Sequence, residues 1–344
     1  MSTADLDELF AAVYAAPHDD ARRMVLADAL QQLGDPRGEF IALQLRRVDV
    51  ARQCELIAAH DHAWLGGLAS VVMPGLRRYD RGFLVACAID RLSAEQVEAL
   101  AQRPEWATLE RISFYAKLSY SPTVISSHMR SVRALIGVCE LGLEQLCLRH
   151  ADLAIEELAV ASTRYMDYVP TRAIEILAAC KGLERLRTLH LEFAFQRLWR
   201  AVLDPLWSSR VGRRLETLVI NDASRDDWID WQLPVRYLAF RTLHAWRRIE
   251  PGTLRCWCRE DKPEFPAFWL AEARKRGYGH ATVELIDGDV ARAEAEAEQD
   301  RRRGWLLPEI EFRAVSKDDP LPWEVAPEGV ICPPEWRHST TAPG

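Results

Sequence analysis

One spacing pattern recurs in the middle of this sequence and restricts its fold more than any other feature. Several segments place an apolar residue, two residues of any kind, a second apolar residue, one further residue and a third apolar residue in succession. They are 109–114, 143–148, 186–191, 215–220 and 235–240. Alternate residues of a β-strand point to opposite faces, so each segment can bury its apolar positions and present the residues between them on the other face. This spacing is typical of leucine-rich repeats.

The residues between these segments have helical patterning. Apolar residues recur at helical spacing over 124–136, and again over 155–177 with a break at Pro170. A strand followed by a helix is the unit of a leucine-rich repeat. We therefore predict an α/β fold, a leucine-rich-repeat solenoid with a curved, largely parallel sheet and helices on its convex side. An ordinary α/β domain with chance leucine spacing is the alternative, because short motifs give false matches.

The chain before the repeats is patterned as a series of helices. The first begins near Thr3, the second is capped by Asp19 or Asp20 and ends at Gly34, and two more follow, from about residue 39 and over 51–65. A strand at 81–89 and a helix at 93–101 then cover the open end of the array. The sequence predicts a helical domain at 1–75, and a capping strand and helix with degenerate repeats at 76–250.

An ordered string runs through the helical domain: DDA at 19–21, VLADAL at 25–30 and GDPRGEFI at 34–41. His60, the WLG of 64–66 and the RGF of 81–83 follow it. Together these residues resemble the bacterial repeat-companion domain, which is found beside leucine-rich repeats. The resemblance implies a helical domain joined to repeats, and it implies no established enzyme activity. The acidic and basic side chains of the string could bind a ligand, although turn and cap chemistry favours a structural role for them: Asp28, Asp35, Arg37 and Glu39.

The repeat register predicts which side chains form the concave face. They are Arg111, Ser113, Tyr115, Gln145, Arg149, His190, Glu192, Asn221, Tyr237 and Arg241. Tyrosine and arginine are enriched at the energetic centres of protein interfaces, so we predict that this face binds another protein. An ordinary solvated sheet face is equally compatible with the pattern, since a slip of one residue exchanges the two faces of a strand.

The last third of the chain departs from the repeat pattern. Strands at 253–258 and 281–286 and a helix at 290–303 predict further repeat-like α/β units, or a small C-terminal domain, over 251–304. Residues 305–344 are rich in proline, which predicts an extended tail. Trp323 and Trp336 make this tail a second candidate for partner binding, because tryptophan is common at binding hot spots. The alternative is that the tail packs on the array and buries its own tryptophans.

Residues capable of catalysis or metal binding are sparse. Cys147 and His190, if they lie on neighbouring strands, could act as nucleophile and base. Cys256 and Cys258 could begin a metal site, although a structural zinc site needs four ligands and no second pair follows. We therefore predict no catalytic residue, metal or cofactor, and a non-enzymatic interaction module that acts as a scaffold or an inhibitory regulator. An enzyme or metalloprotein centred on one of these pairs is the alternative.

Charge and cysteine placement restrict the partner and the compartment. The 344 residues carry 51 acidic and 44 basic side chains, a net charge of −7, whereas nucleic-acid binding needs a concentrated basic surface. No apolar run is long enough to predict a membrane span. The 8 cysteines lie singly, several in apolar stretches, which favours a reducing cytoplasm over a disulfide framework. The expected partner is thus another protein, neither nucleic acid nor membrane, and the sequence defines no oligomeric state.

Overall fold

The computed structural model places the chain in two compact units of mixed α/β structure. It describes residues 3–90, 92–114, 123–150, 152–161, 171–192, 199–221, 237–241, 245–250, 253–259, 270–271, 274–275, 279–286 and 288–316. The first unit comprises Met1–Leu158, Cys180–Arg185 and Val325–Gly344. The second comprises Ala159–Ala179 and Leu186–Glu324.

Four helices open the first unit, as the sequence predicts. They are α1 (Thr3–Ala15), α2 (Asp20–Gln32), α3 (Pro36–Arg46) and α4 (Val50–Trp64). Asp19 caps α2 by accepting the N–H groups of Ala21 and Arg22, so the first of the two predicted caps is confirmed. Asp35 caps α3 in the same way, and Pro36 occupies its first turn, where proline loses no hydrogen bond. The third helix therefore begins earlier than predicted.

A β-hairpin follows the helices and completes their core. It consists of β1 (Val72–Asp80) and β2 (Phe83–Ile89), which pair antiparallel. The ring of Phe83 packs edge-on against those of Phe10 and Tyr14, while Tyr79 packs against Phe40. The predicted boundary between residues 75 and 76 falls inside β1, whose later residues belong to this aromatic core.

The rest of the first unit alternates helices and parallel strands. Its elements are α5 (Ala94–Ala101), β3 (Arg111–Phe114), β4 (Ala134–Val138), α6 (Glu140–Arg149) and the beginning of β5 (Glu157–Ala161). Ser93 and Gln96 form a capping box on α5. Strand β3 pairs parallel with both β2 and β4.

Two predictions in this region are wrong. The segment 143–148 is not a strand but the middle of α6, because Leu143 and Leu146 also match the spacing of a helix face and are both buried. Leu148, the third apolar position of the motif, is 77% exposed. A strand lies earlier, at β4, and its first three residues fall in the stretch that we predict as helical. Likewise β5 replaces the helix predicted from residue 155.

The second unit contains a seven-stranded, mostly parallel sheet that does not close on itself. Its strands are β6 (Thr188–Glu192), β7 (Thr217–Asn221), β8 (Tyr237–Arg241), β9 (Ala245–Glu250), β10 (Thr253–Arg259), β11 (His280–Ile286) and β12 (Glu309–Val315). They pair in chain order, and only β9 runs antiparallel to both of its neighbours. The helices are α7 (Thr171–Ala179), α8 (Trp199–Ser208) and α9 (Val290–Arg302).

The predicted strands at 186–191, 215–220, 235–240, 253–258 and 281–286 are confirmed to within two residues at each end. The boundary predicted after residue 250 falls between β9 and β10, which are paired to each other. Strand β12 lies within the predicted extended tail and pairs with β11. No helix in the described part of the chain is long and apolar enough to cross a membrane.

Candidate functional site

The strands of the second unit align the predicted recognition residues in lateral rows. Thr188, Thr217 and Tyr237 are in register across β6, β7 and β8. Two residues further along, His190 is opposite Val219, and the next row joins Glu192, Asn221 and Arg241. The intervening Leu189, Leu191 and Leu218 are fully buried. Because alternate strand residues face opposite sides, Thr188, His190 and Thr217 share the face opposite this leucine core.

This face is less open than a free recognition surface. His190 is 8% exposed, and Thr188 and Thr217 are also buried. In the first unit, Arg111 on β3 donates to Glu157 on β5 at 2.7 Å. The Glu157 side chain is 1% exposed and that of Arg111 is 28% exposed. The arginine that we predict as a binding residue is therefore engaged in an ion pair across the sheet, whereas Ser113 is only partly buried.

Two of the predicted concave-face residues are placed elsewhere. Gln145 and Arg149 lie on helix α6, because the segment that we predict as a strand is helical, and they are not part of the strand face. Tyr115, Trp323 and Trp336 lie outside the residues that the structure describes. The prediction of a Trp-rich binding tail therefore stays a prediction.

The four N-terminal helices and the hairpin use their charged residues internally. The guanidinium of Arg23 donates to the carbonyl oxygens of Pro17, Asp80 and Arg81. Burial lowers the pKa of Arg23 to about 10. Arg37 lies over the rings of Phe10 and Phe83, with its charged carbon 5.0 and 4.7 Å from their centres. These are cation–π contacts that fix the helices on the hairpin.

A second buried network lies where α4 meets the hairpin. Asp61 accepts hydrogen bonds from Arg77 and from the hydroxyl of Tyr79. Burial and the hydrogen bond to Asp61 raise the pKa of Tyr79. Of the acidic residues in the family-like string, Asp35 is a helix cap and Glu39 pairs with Arg52 at 2.8 Å. The contacts of these residues are thus structural, which agrees with the favoured interpretation of the string.

Two cysteines of the first unit form a pair that the sequence did not reveal. A side-chain interaction between Cys147, in the last turn of α6, and Cys180, which directly follows α7, shifts the pKa of both thiols. This interaction and a hydrogen bond from the backbone N–H of Gly182 lower the pKa of Cys180, while burial opposes the shift. The same interaction and burial raise the pKa of Cys147.

This thiol pair changes the interpretation of the predicted catalytic candidates. The pairing of Cys147 with His190 rested on a strand at 143–148, and that strand is absent because α6 occupies its place. Cys256 and Cys258 do lie on one strand, β10. Among the described residues, no three histidine, cysteine, aspartate or glutamate side chains are grouped closely enough to hold a metal ion. No sequence signal indicates the pair, because the sequence predicts a strand where Cys147 lies on α6.

Comparison with known proteins finds no relative of this chain: no protein-family model, no curated protein and no solved structure matches it.

Proposed function

We propose that this chain is a non-enzymatic protein-binding module, a leucine-rich-repeat solenoid preceded by a repeat-companion domain. The observation that carries the proposal is one hydrogen-bond step that recurs between successive strands. In each step, the carbonyl preceding one strand accepts two consecutive N–H groups at the start of the next strand. The donors and acceptors are Arg133 and Ala134 to Glu110 (2.8 and 3.1 Å), Glu156 and Glu157 to Arg133 (2.7 and 2.9 Å), and Glu216 and Thr217 to Arg187 (2.9 and 3.0 Å).

The strand positions support the same proposal. The first residues of β3, β4 and β5 are equally spaced along the chain, which is more regular than the leucine spacing in the sequence. The second residues of these strands, Ile112, Leu135 and Leu158, are all fully buried. Equal steps with a continuous apolar row are characteristic of repeat architectures, in which each unit buries its apolar face against its neighbours.

A stack of paired strands suits recognition because its backbone is already ordered. A partner that binds such a surface does not bear the entropic cost of fixing the strands. The strand positions of Glu192, Asn221 and Arg241 are the binding region that we favour, since an acid, an amide and a base there lie in lateral backbone register. These three residue types supply both hydrogen-bond donors and acceptors, which suits a scaffold or an inhibitor.

We also propose that the protein works in the cytoplasm. Its described cysteines include free thiols at 54, 87, 139, 147 and 180. Free thiols persist in a reducing compartment, whereas secreted proteins usually use them in disulfides.

Crosslinking mass spectrometry in a native cell extract tests the binding proposal. The full chain and a triple variant, Glu192→Ala with Asn221→Ala and Arg241→Ala, are compared as baits. We expect a specific partner crosslinked to the strand rows of the wild type, and at least a tenfold lower recovery of that partner with the variant. Hot-spot losses of 2 kcal/mol or more correspond to roughly a thirtyfold change in affinity.

The matched control changes an exposed ion pair away from these rows. Glu298→Ala with Arg302→Ala on α9 removes one acid and one base that lie 3.1 Å apart on the surface. Recovery of the partner with this control should equal that of the wild type. Equal recovery with the row variant and the wild type would contradict the proposed binding region.

A further inference from the structure

Strand β12 is the last strand of the sheet in the second unit, and among the described strands it pairs with β11 alone. The N–H of Glu309 donates to the carbonyl oxygen of Gly279 at 3.0 Å, on the β11 side. Successive residues of a paired strand direct their backbone groups to alternate sides, so those of Ile310, Phe312 and Ala314 point to the outer edge. This edge therefore presents donors and acceptors to which a further strand can bind.

The apolar face of the sheet continues into β12 but is only partly covered there. Ile310 and Phe312 are in register with Ala281 and Val283 of β11. The two β11 side chains are fully buried. Those of Ile310 and Phe312 are only partly buried. A strand added beside β12 would remove more of this apolar surface from water, which favours its binding.

Exposed apolar side chains adjoin the start of the same strand. Trp305 and Leu306 lie between α9 and β12 and are 40% and 75% exposed. Of the described residues, the other large apolar side chains exposed to this extent belong to the first unit. Apolar surface that is concentrated in one place is typical of an interaction site.

The charges of β12 fit a second copy of the same strand. Glu311 and Arg313 lie on one face, on either side of Phe312 in the chain. If two antiparallel copies meet with Phe312 opposite Phe312, each Glu311 lies opposite Arg313 of the second copy. A pair centred on Glu311 would oppose two acids, and a pair centred on Arg313 would oppose two bases. Among the centres within β12, only Phe312 places both charges opposite their complements.

We propose that β12 pairs antiparallel with β12 of a second copy of this chain, centred on Phe312, and joins the second-unit sheets of two copies into one sheet. The outward backbone groups of Ile310, Phe312 and Ala314 make the hydrogen bonds. Glu311 and Arg313 then take the positions between these bonds, where opposite side chains approach most closely. This inference does not depend on the binding function proposed above.

The ion pairs determine the register of this dimer more than its strength. Within one chain, Arg313 already pairs with Glu311 at 2.8 Å, and both side chains are at least half exposed. Association therefore exchanges one solvated ion pair for another, and such pairs contribute little net free energy. The strength comes from the backbone hydrogen bonds and the apolar burial, whereas like charges placed opposite each other would oppose pairing.

Charge reversal tests the proposal on the full-length chain. Arg313→Glu leaves two acids on the strand and Glu311→Arg leaves two bases, so each variant alone opposes like charges in the proposed register. In sedimentation velocity, the wild type should approach twice the mass of one chain as its concentration rises. The dimer of each variant should dissociate at least about tenfold more readily. An equimolar mixture of the two variants should dimerise like the wild type, because every acid again faces a base.

The matched control is Arg302→Glu, which makes the same exchange of base for acid on α9. Arg302 pairs with Glu298 at 3.1 Å at an exposed position outside β12, so this variant should dimerise like the wild type. A wild type that stays monomeric, as it would if another segment or another protein covered the edge, overturns the proposal. A mixture of the two charge variants that dimerises no better than either variant alone also overturns it.

Discussion

At the scale of single residues, glycine explains much of the family-like string. Gly38 lies where α3 crosses α2, and a Cβ there would come within 2.7 Å of both the Ala27 carbonyl oxygen and the Gln31 nitrogen. Gly82 has a φ of +82°, and a Cβ there would overlap the side chain of Ile41. These positions therefore need glycine for close packing of the helices and the hairpin, which requires no ligand.

Gly82→Ala should lower the free energy of unfolding by about 2–4 kcal/mol, because backbone strain and overpacking act together. Gly34→Ala is the control, since Gly34 has a φ of +70° but open space around its Cβ position. We expect a cost of about 1–2 kcal/mol there, from the backbone alone. Urea unfolding of both variants measures the difference in unfolding free energy. Equal losses of stability in the two variants would show that the Ile41 side chain can move away from the added methyl group without destabilising the fold.

The pKa of Cys180 predicts a pH profile for its chemistry. Alkylation by iodoacetamide needs the thiolate, so the rate at Cys180 should rise with pH and reach half its maximum below the pKa of an ordinary thiol, about 8.5. In Cys147→Ala the interaction with Cys147 is lost, and the midpoint should move upward toward about 8.5. Peptide mass spectrometry after timed labelling measures both profiles. An unchanged midpoint would show that Cys147 does not stabilise the charge.

At the scale of elements, the sequence predicts strands well where the leucine pattern cannot also form a helix. It locates β6, β7 and β8 because their apolar residues alternate. It fails at α6, where the spacing of Leu143 and Leu146 fits both structures. The strand that takes the place of this segment, β4, contains Gly137 with a φ of +76°, so it lacks the regular motif.

The candidate site is less predictable than the elements, because it depends on which elements meet. Cys147 is visible in the sequence as a possible nucleophile, but its contact with Cys180 depends on the position of α6, and local patterning misplaces that helix. Likewise no spacing rule indicates that Arg111 pairs with Glu157, since β4 lies between their strands in the chain.

Glu157→Gln tests how far this ion pair holds β5 to β3. It leaves Arg111 without its charged partner, and a loss of about 2 kcal/mol of unfolding free energy is expected because the carboxylate is buried. The control is Glu216→Gln, whose pair with Arg187 spans 3.4 Å at an exposed position. For Glu216→Gln we expect a loss of unfolding free energy of less than about 0.5 kcal/mol. Similar urea midpoints for the two variants would mean that the buried pair adds no stability.

At the scale of the whole molecule, the division into units has a consequence for how the chain is made. Segment Cys180–Arg185 belongs to the first unit although residues of the second unit flank it on both sides. On the ribosome, where domains generally fold in the order of their synthesis, the first unit must wait for Cys180–Arg185 and then for Val325–Gly344 to emerge. By then Ala159–Ala179, which begins the second unit, is already outside. The two units therefore cannot mature strictly one after the other, and a gene fusion or truncation that removes Cys180–Arg185 or Val325–Gly344 would leave the first one incomplete.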